Sequence, residues 1–155
     1  MDRETASRND DHHALRLWLR LLTCTQLIER EVRARLRGRF GTTLPRFDLM
    51  SQLWRYPDGL KMNELSRHLM VTGGNVTGIV DPLERQGLVE RAAEPADRRA
   101  YRVRLTRAGR KAFAEMARTH EDWIVELLAG MSRKEHAEIY KLLGKLKQVT
   151  LEARS

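Results

Sequence analysis

From His12 to Arg37 the apolar side chains Leu15, Trp18, Leu19, Leu22, Leu27, Ile28, Val32 and Leu36 recur every three or four residues. That spacing lines them along one side of a long α-helix. A helix of this length carries more apolar surface than a small domain can cover alone. It therefore implies a partner helix, which a second subunit can supply. Residues 1 to about 10 are polar and are expected to fray. The helix is expected to end near Gly38, with Gly41 in the following turn.

The rest of the chain reads as short elements, then two more helices. Pro45 opens a helix of about Arg46 to Tyr56, which Pro57-Asp58-Gly59 ends. A short helix follows, from Met62 to about Leu69. Thr72 has the chemistry of an N-cap for a helix from Gly73 to Gln86, with Gly87 as its stop. Leu88–Arg91 and Tyr101–Leu105 read as strands, the second with Tyr101, Val103 and Leu105 alternating. The polar segment Ala92–Ala100 would form a long hairpin tip. Thr106 caps a helix to about Ala129, and Ser132 with Glu135 makes a capping box for a last helix to about Leu151. The expected fold is mainly α with a small β-hairpin wing, a winged helix-turn-helix flanked by long dimerisation helices.

Composition narrows the partner. The net charge of +8, from 29 Lys+Arg against 21 Asp+Glu, favours a polyanion such as nucleic acid or an anionic membrane surface. No apolar run approaches the length of a membrane span, and Met1-Asp2-Arg3-Glu4 lacks the apolar segment of a secretory signal. No membrane role is expected. The single cysteine, Cys24, excludes an intramolecular disulfide and fits a reducing, cytoplasmic setting. It reads as a buried structural residue. His12, His13, His68, His120 and His136 have no zinc-site spacing, so no metal is expected. There is no Ser/His/Asp or Cys/His arrangement for nucleophilic catalysis, and Gly73-Gly74 reads as a helix entry, not a nucleotide loop. The expectation is a non-enzyme without a cofactor.

The centre of the chain carries the functional signal. A short supporting helix, a turn and a second helix followed by a hairpin are the parts of a winged helix-turn-helix. The second helix would present Thr72, Gly73, Gly74, Asn75, Val76 and Thr77 to the major groove. Small residues allow close approach, backbone N–H groups attract phosphate, Asn75 can pair with adenine, and Thr77 can meet base edges or a thymine methyl. Read alone, Thr72–Asn75 would equally cap a core helix. The basic tip Asp97-Arg98-Arg99 separates the two readings, because an arginine there can enter the minor groove.

These stretches resemble the MarR family of transcriptional regulators from about Leu15 to Leu146. The resemblance rests on Asp58-Gly59-Leu60, Glu64-Leu65, Gly73-Gly74-Asn75-Val76-Thr77, Leu83 through Val89, Asp97-Arg98-Arg99 and Leu105 through Gly109, in that order. It implies a single domain over 1–155, with the winged part at about 45–105 and dimerisation helices at about 11–38 and 106–151. It also implies a homodimer on an imperfect palindrome of double-stranded DNA, released in many members by a small molecule. By position, Arg99 would be the minor-groove arginine and Asp97 would orient the wing through an ion pair. Asp81-Pro82 departs from the pattern: proline removes one helical hydrogen bond and crowds the carbonyl of Gly78. A kink or tightened turn is expected there, with the reading confined to the first turn.

His13 through Leu36, together with Met62–Leu65 and Leu69–Asn75, is similar to a narrower group that regulates aromatic-acid catabolism and responds to hydroxycinnamoyl-coenzyme A thioesters. That likeness implies a repressor whose effector is an aromatic acid or its coenzyme A thioester. Candidate lining residues are Trp18, Leu22, Phe47, Met50, Trp54 and Trp123, with Arg16 and Arg20 at the rim for phosphates. For any single aromatic, plain core packing is the commoner reading; the group points to a pocket because it combines aromatics with neighbouring Arg16 and Arg20. Arg33, Arg35, Arg37 and Arg39 add charge that a solvated helix face also explains. The alternatives are a ligand-independent architectural DNA-binding protein and a regulator sensing another phenolic or drug-like compound.

Overall fold

A 38-residue helix, α1 (Arg3–Phe40), begins the chain. The computed structural model describes the backbone of residues 3–69 and 75–154, and the side chains of these residues from His12 onward, Arg98 excepted. α1 starts at Arg3, so the polar lead-in is helical. It contains neither proline nor glycine to stop the helix. The far end also runs past Gly38 to Phe40. The stop is Gly41, whose φ of +60° suits glycine and whose N–H bonds the Arg37 carbonyl at 3.0 Å.

α2 (Leu44–Arg55) is capped by Thr43, whose hydroxyl accepts from the Arg46 N–H, and has Pro45 in its first turn. Then come β1 (Leu60–Lys61), α3 (Met62–His68), α4 (Val76–Arg85), β2 (Val89–Glu94), β3 (Asp97–Leu105), α5 (Arg107–Leu127) and α6 (Arg133–Glu152). The strands form an antiparallel sheet in the order β1-β3-β2, with Leu60 opposite Val103 and Val89 opposite Leu105. β1 escaped the sequence reading because two residues carry no alternation. The hairpin is longer than expected: its turn is only Pro95-Ala96, and the other residues between the predicted strands belong to β2 and β3.

Backbone packing divides the chain into two units, residues 1–120 and 121–155. The first holds the core. Leu36, Leu49, Met50, Leu53, Leu65, Val80, Leu83, Val89 and Val103 are fully buried there, drawn from α1, α2, α3, α4, β2 and β3. Burying each such side chain contributes about 1.5–3 kcal/mol. Only the last turns of α1 join this core, through Val32 and Leu36. Nearer the N-terminus Leu15, Leu17, Trp18, Leu19 and Leu27 stay exposed, Trp18 at 56%. Cys24 lies on this uncovered stretch and is exposed, not buried as expected. In the second unit Ser132 and Glu135 form the predicted capping box. No residue of α6 is buried, and Tyr140 is 85% exposed.

Candidate nucleic-acid interface

α4 begins at Val76, three residues later than expected, and Asn75 is its cap. The Asn75 side-chain oxygen accepts from the Gly78 N–H at 3.0 Å. Asparagine is among the best N-cap residues, whereas glycine is a poor helix former, so the start falls after the glycine pair. Thr72, Gly73 and Gly74 lie outside the described residues. With its oxygen committed to the cap, Asn75 keeps its amide N–H groups to donate. Bidentate pairing with adenine would cost the cap.

Val76, Val80 and Leu83 are buried and fix the inner face of α4. Thr77 and Gly78 are exposed. Pro82 sits inside the helix, yet α4 runs unbroken from Val76 to Arg85. The proline does not end the helix. Leu83, following the proline, is anchored in the core, and the helix ends in order beyond it. Gly87 at φ +72° donates to the Glu84 carbonyl at 2.9 Å, and Leu88 donates to the Leu83 carbonyl at 3.0 Å. These two bonds are a Schellman closure.

The wing is held by charged rungs. Arg104 pairs with Glu90 directly across the ladder at 2.7 Å, and Arg102 pairs with Glu94 at 2.6 Å. Asp97 Oδ1 accepts the backbone N–H of Arg99 at 2.9 Å. Asp97 thus holds the backbone at Arg99. Arg99 is exposed next to the tip; the Arg98 side chain lies outside the described residues.

Arg91 joins helix to wing, and nothing in the sequence singled it out. From β2 its guanidinium donates to Asp81 at 2.6 Å and to Glu84 at 2.7 Å, both on α4, and it stacks 5.3 Å from the Tyr101 ring centre on β3. The hydrogen bond to Asp81, above all, holds Arg91 even more firmly protonated than an ordinary arginine. Two acidic residues three apart on one helix and an arginine in the next strand are the signal that would have found it. At the other end of the sheet the Lys61 N–H donates to Glu64 at 3.0 Å, holding that carboxyl below the usual range and fixing the start of α3.

The effector candidates fall into separate groups. Phe47 and Met50 are buried in the core. Phe47 packs 5.5 Å from Phe113 and 4.8 Å from His120; Trp54 lies 5.4 Å from Phe113, with the Arg110 guanidinium 4.5 Å above its ring. Burial pushes the His120 pKa down. Arg16, Trp18 and Arg20 are exposed and Leu22 is half-buried on α1. Among the described residues these four make no hydrogen bond, ion pair or ring contact with that cluster. Trp123 lies in the second unit.

A cavity of about 660 Å³ opens elsewhere, between the last turns of α1, the start of α2 and the outer side of α4. Arg33, Arg37 and Arg46 line it, with Pro45, Gly78 and Ile79. Among the described residues no cluster of His, Cys, Asp and Glu could hold a metal ion. No described helix is long and apolar enough to cross a membrane.

Comparison with known proteins places this arrangement. The family model described as "MarR family" matches residues 42–101, the stretch holding α2, α3, α4 and nearly all of the wing. The chain is 33% identical to a MarR family transcriptional regulator from Silicibacter pomeroyi, whose crystal structure superposes with a TM-score of 0.80 over 91% of this chain and 97% of that one. It is 28% identical to FabT of Streptococcus pneumoniae, whose structure was solved in complex with DNA; the TM-score is 0.72, over 90% of this chain and 98% of that one. It is 29% identical over 106 residues to the transcriptional activatory protein BadR of Rhodopseudomonas palustris, covering 67% of this chain and 60% of that protein.

Proposed function

This chain belongs to the MarR family of DNA-binding transcriptional regulators, and from that premise we propose that it is a homodimer which reads an imperfect palindrome and releases it when a small aromatic acid, or its coenzyme A thioester, binds. The observation that carries the DNA-reading half is the union of α4 and the wing. An exposed helix start and an exposed Arg99 belong to elements that Arg91 ties together at 2.6 and 2.7 Å. In this reading Thr72, Gly73, Gly74, Asn75 and Thr77 face the major groove. Arg98 and Arg99 enter the minor groove, and Asp97 sets the wing through the Arg99 backbone.

The whole chain then works as one regulatory domain without an enzymatic reaction, in the cytoplasm. Its winged part spans about 45–105, and the helices at about 11–38 and 106–151 dimerise. The uncovered apolar side chains of α1 and α6 support the dimer. Two α4 helices about 34 Å apart would fit successive major grooves on one face of the duplex. An effector favouring another separation would shift the population away from DNA. Its candidate contacts are Phe47, Met50 and Trp54 of the aromatic cluster, Arg16, Trp18, Arg20 and Leu22 on α1, and, as a separate candidate in the second unit, Trp123. Loss of DNA on binding makes the protein a repressor. The name of BadR favours a second reading, in which the same site activates.

A gel-shift titration on the palindrome of its own promoter region tests this, with and without an aromatic coenzyme A thioester. Tight, salt-dependent binding released by the thioester is expected. Binding without release, and without thermal stabilisation by the thioester, marks an architectural protein instead. Turnover of the thioester contradicts the non-enzymatic reading.

A further inference from the structure

We infer that Arg33, Arg37 and Arg46 form a second phosphate-binding flank for DNA, on the side of α4 away from the wing. The inference rests on α4 being the DNA-reading helix. Ile79, at the cavity, and Asp81, at the Arg91 clamp, are two residues apart and so about 200° apart around the helix. The wing and the arginine cavity therefore border opposite sides of α4.

Charge bookkeeping calls for such a flank. Between Val76 and Arg85 the helix offers one cation, Arg85, and its two carboxylates, Asp81 and Glu84, are taken by Arg91. Duplex DNA carries a negative charge about every 1.7 Å of axis, and its binding proteins neutralise several phosphates. The cations must come from beside the helix. Arg91, Arg102 and Arg104 are already spent in pairs of 2.6–2.7 Å. Among the described residues Arg37 and Arg46 have no carboxylate within 4.0 Å, and Arg33 has only Glu29 at 3.7 Å, on its own helix.

Arg46 adds a further sign. It stands in the first turn of α2, where the helix dipole disfavours a cation. Its position costs the fold and suits an anion. The start of α2 also lines the cavity, so the positive end of its dipole adds to the potential there. Gly78 carries no side chain at the rim, where the Asn75 side chain lies beside it. Among the described residues the apolar part of the walls is aliphatic, from Ala34, Leu44, Pro45 and Ile79, and offers no aromatic slab of the kind an aromatic acid stacks on. A phosphate of the strand bordering the major groove fits this chemistry best.

Fluorescence anisotropy across a salt series tests the proposal, on a palindromic operator duplex and on a scrambled one. The proteins are the natural chain, Arg37→Ala, Arg46→Ala and Arg46→Lys. Each alanine variant should weaken both duplexes by the same factor and flatten the log K against log salt slope by about 0.9, the value for one lost phosphate contact. The operator-to-scrambled ratio should stay unchanged, and Arg46→Lys should retain the slope. Thermal melts confirm that the variants are folded. Unchanged slopes overturn the proposal, as does a fall in the ratio. If the alanine variants lose only the binding of inorganic phosphate or salicylate, the cavity is a small-anion site and the proposal fails. If the natural chain shows no salt-dependent binding to either duplex, the DNA reading itself fails, and the flank with it.

Discussion

The lobe from α2 to β3 and the helical end α6 are built from similar residues and solve the burial problem differently. In the lobe Leu49, Leu53, Leu65, Val80, Leu83 and Val103 are buried within one chain. In α6 nothing is buried, although Ile139, Tyr140, Leu142, Leu143, Val149 and Leu151 all lie on it. α1 shows both behaviours in one helix: Val32 and Leu36 are covered, whereas Leu15, Leu17, Trp18, Leu19 and Leu27 are exposed. Hydrophobicity alone therefore does not separate the two regions. The lobe completes its core from its own elements, and in the proposed homodimer the helical ends supply half of an interface. The lobe reads DNA in this account, and the ends place two lobes on it.

The sharpest way to break this comparison is to charge the uncovered ends. Leu142→Lys should leave the single chain folded, because the side chain is 65% exposed there, yet convert the homodimer to a monomer. Losing the linked second half-site should weaken operator binding on the order of 10²–10⁴-fold. Sedimentation velocity and gel shift read both effects; a dimer of unchanged affinity would assign α6 another task. Leu65→Ala makes the opposite test, since this fully buried residue belongs to the lobe. It should cost about 2–5 kcal/mol of stability, and denaturant unfolding measures the loss.

Smaller effects sharpen the account inside the lobe. Arg99→Ala should weaken specific binding by about 1–3 kcal/mol and lower the operator-to-scrambled ratio, with thermal stability unchanged. The smallest expected effect is one of pH. Burial lowers the His120 pKa from its ordinary 6.5, so the unfolded chain takes up the proton more readily than the folded one. The contribution of His120 is complete above pH 6.5 and is lost as pH falls below it. His120→Leu should flatten the stability curve in that window; an unaltered curve would place the ring outside the aromatic cluster.

What the sequence made legible follows from how local each signal is. The α1 periodicity, the Ser132–Glu135 capping box, the Tyr101–Leu105 alternation and the Gly87 stop are set by neighbours a few residues apart, and each is found in the fold. Features set across the fold were missed. β1 exists because Leu60 lies opposite Val103, 43 residues away, and the Arg91 clamp exists because β2 turns back along α4. Pro82 lies inside α4 between the buried Val80 and Leu83, and its missing hydrogen bond does not end the helix. At the start of α4 Asn75 makes the cap, and Thr72, the cap expected from the sequence, lies outside the described residues. The exposed Cys24 follows from the same cause as the exposed tryptophan near it, the absence of covering chain on that stretch of α1.

The central claim is that two lobes, held by the helical ends, read one face of a palindrome together. Inserting five base pairs between the half-sites turns one of them about half a helical turn away from the other. Affinity measured on the intact and the inserted operator tests the claim directly. The account predicts a loss on the order of 10²-fold or more, down to the level of a single half-site. Equal affinity for the two duplexes would contradict it.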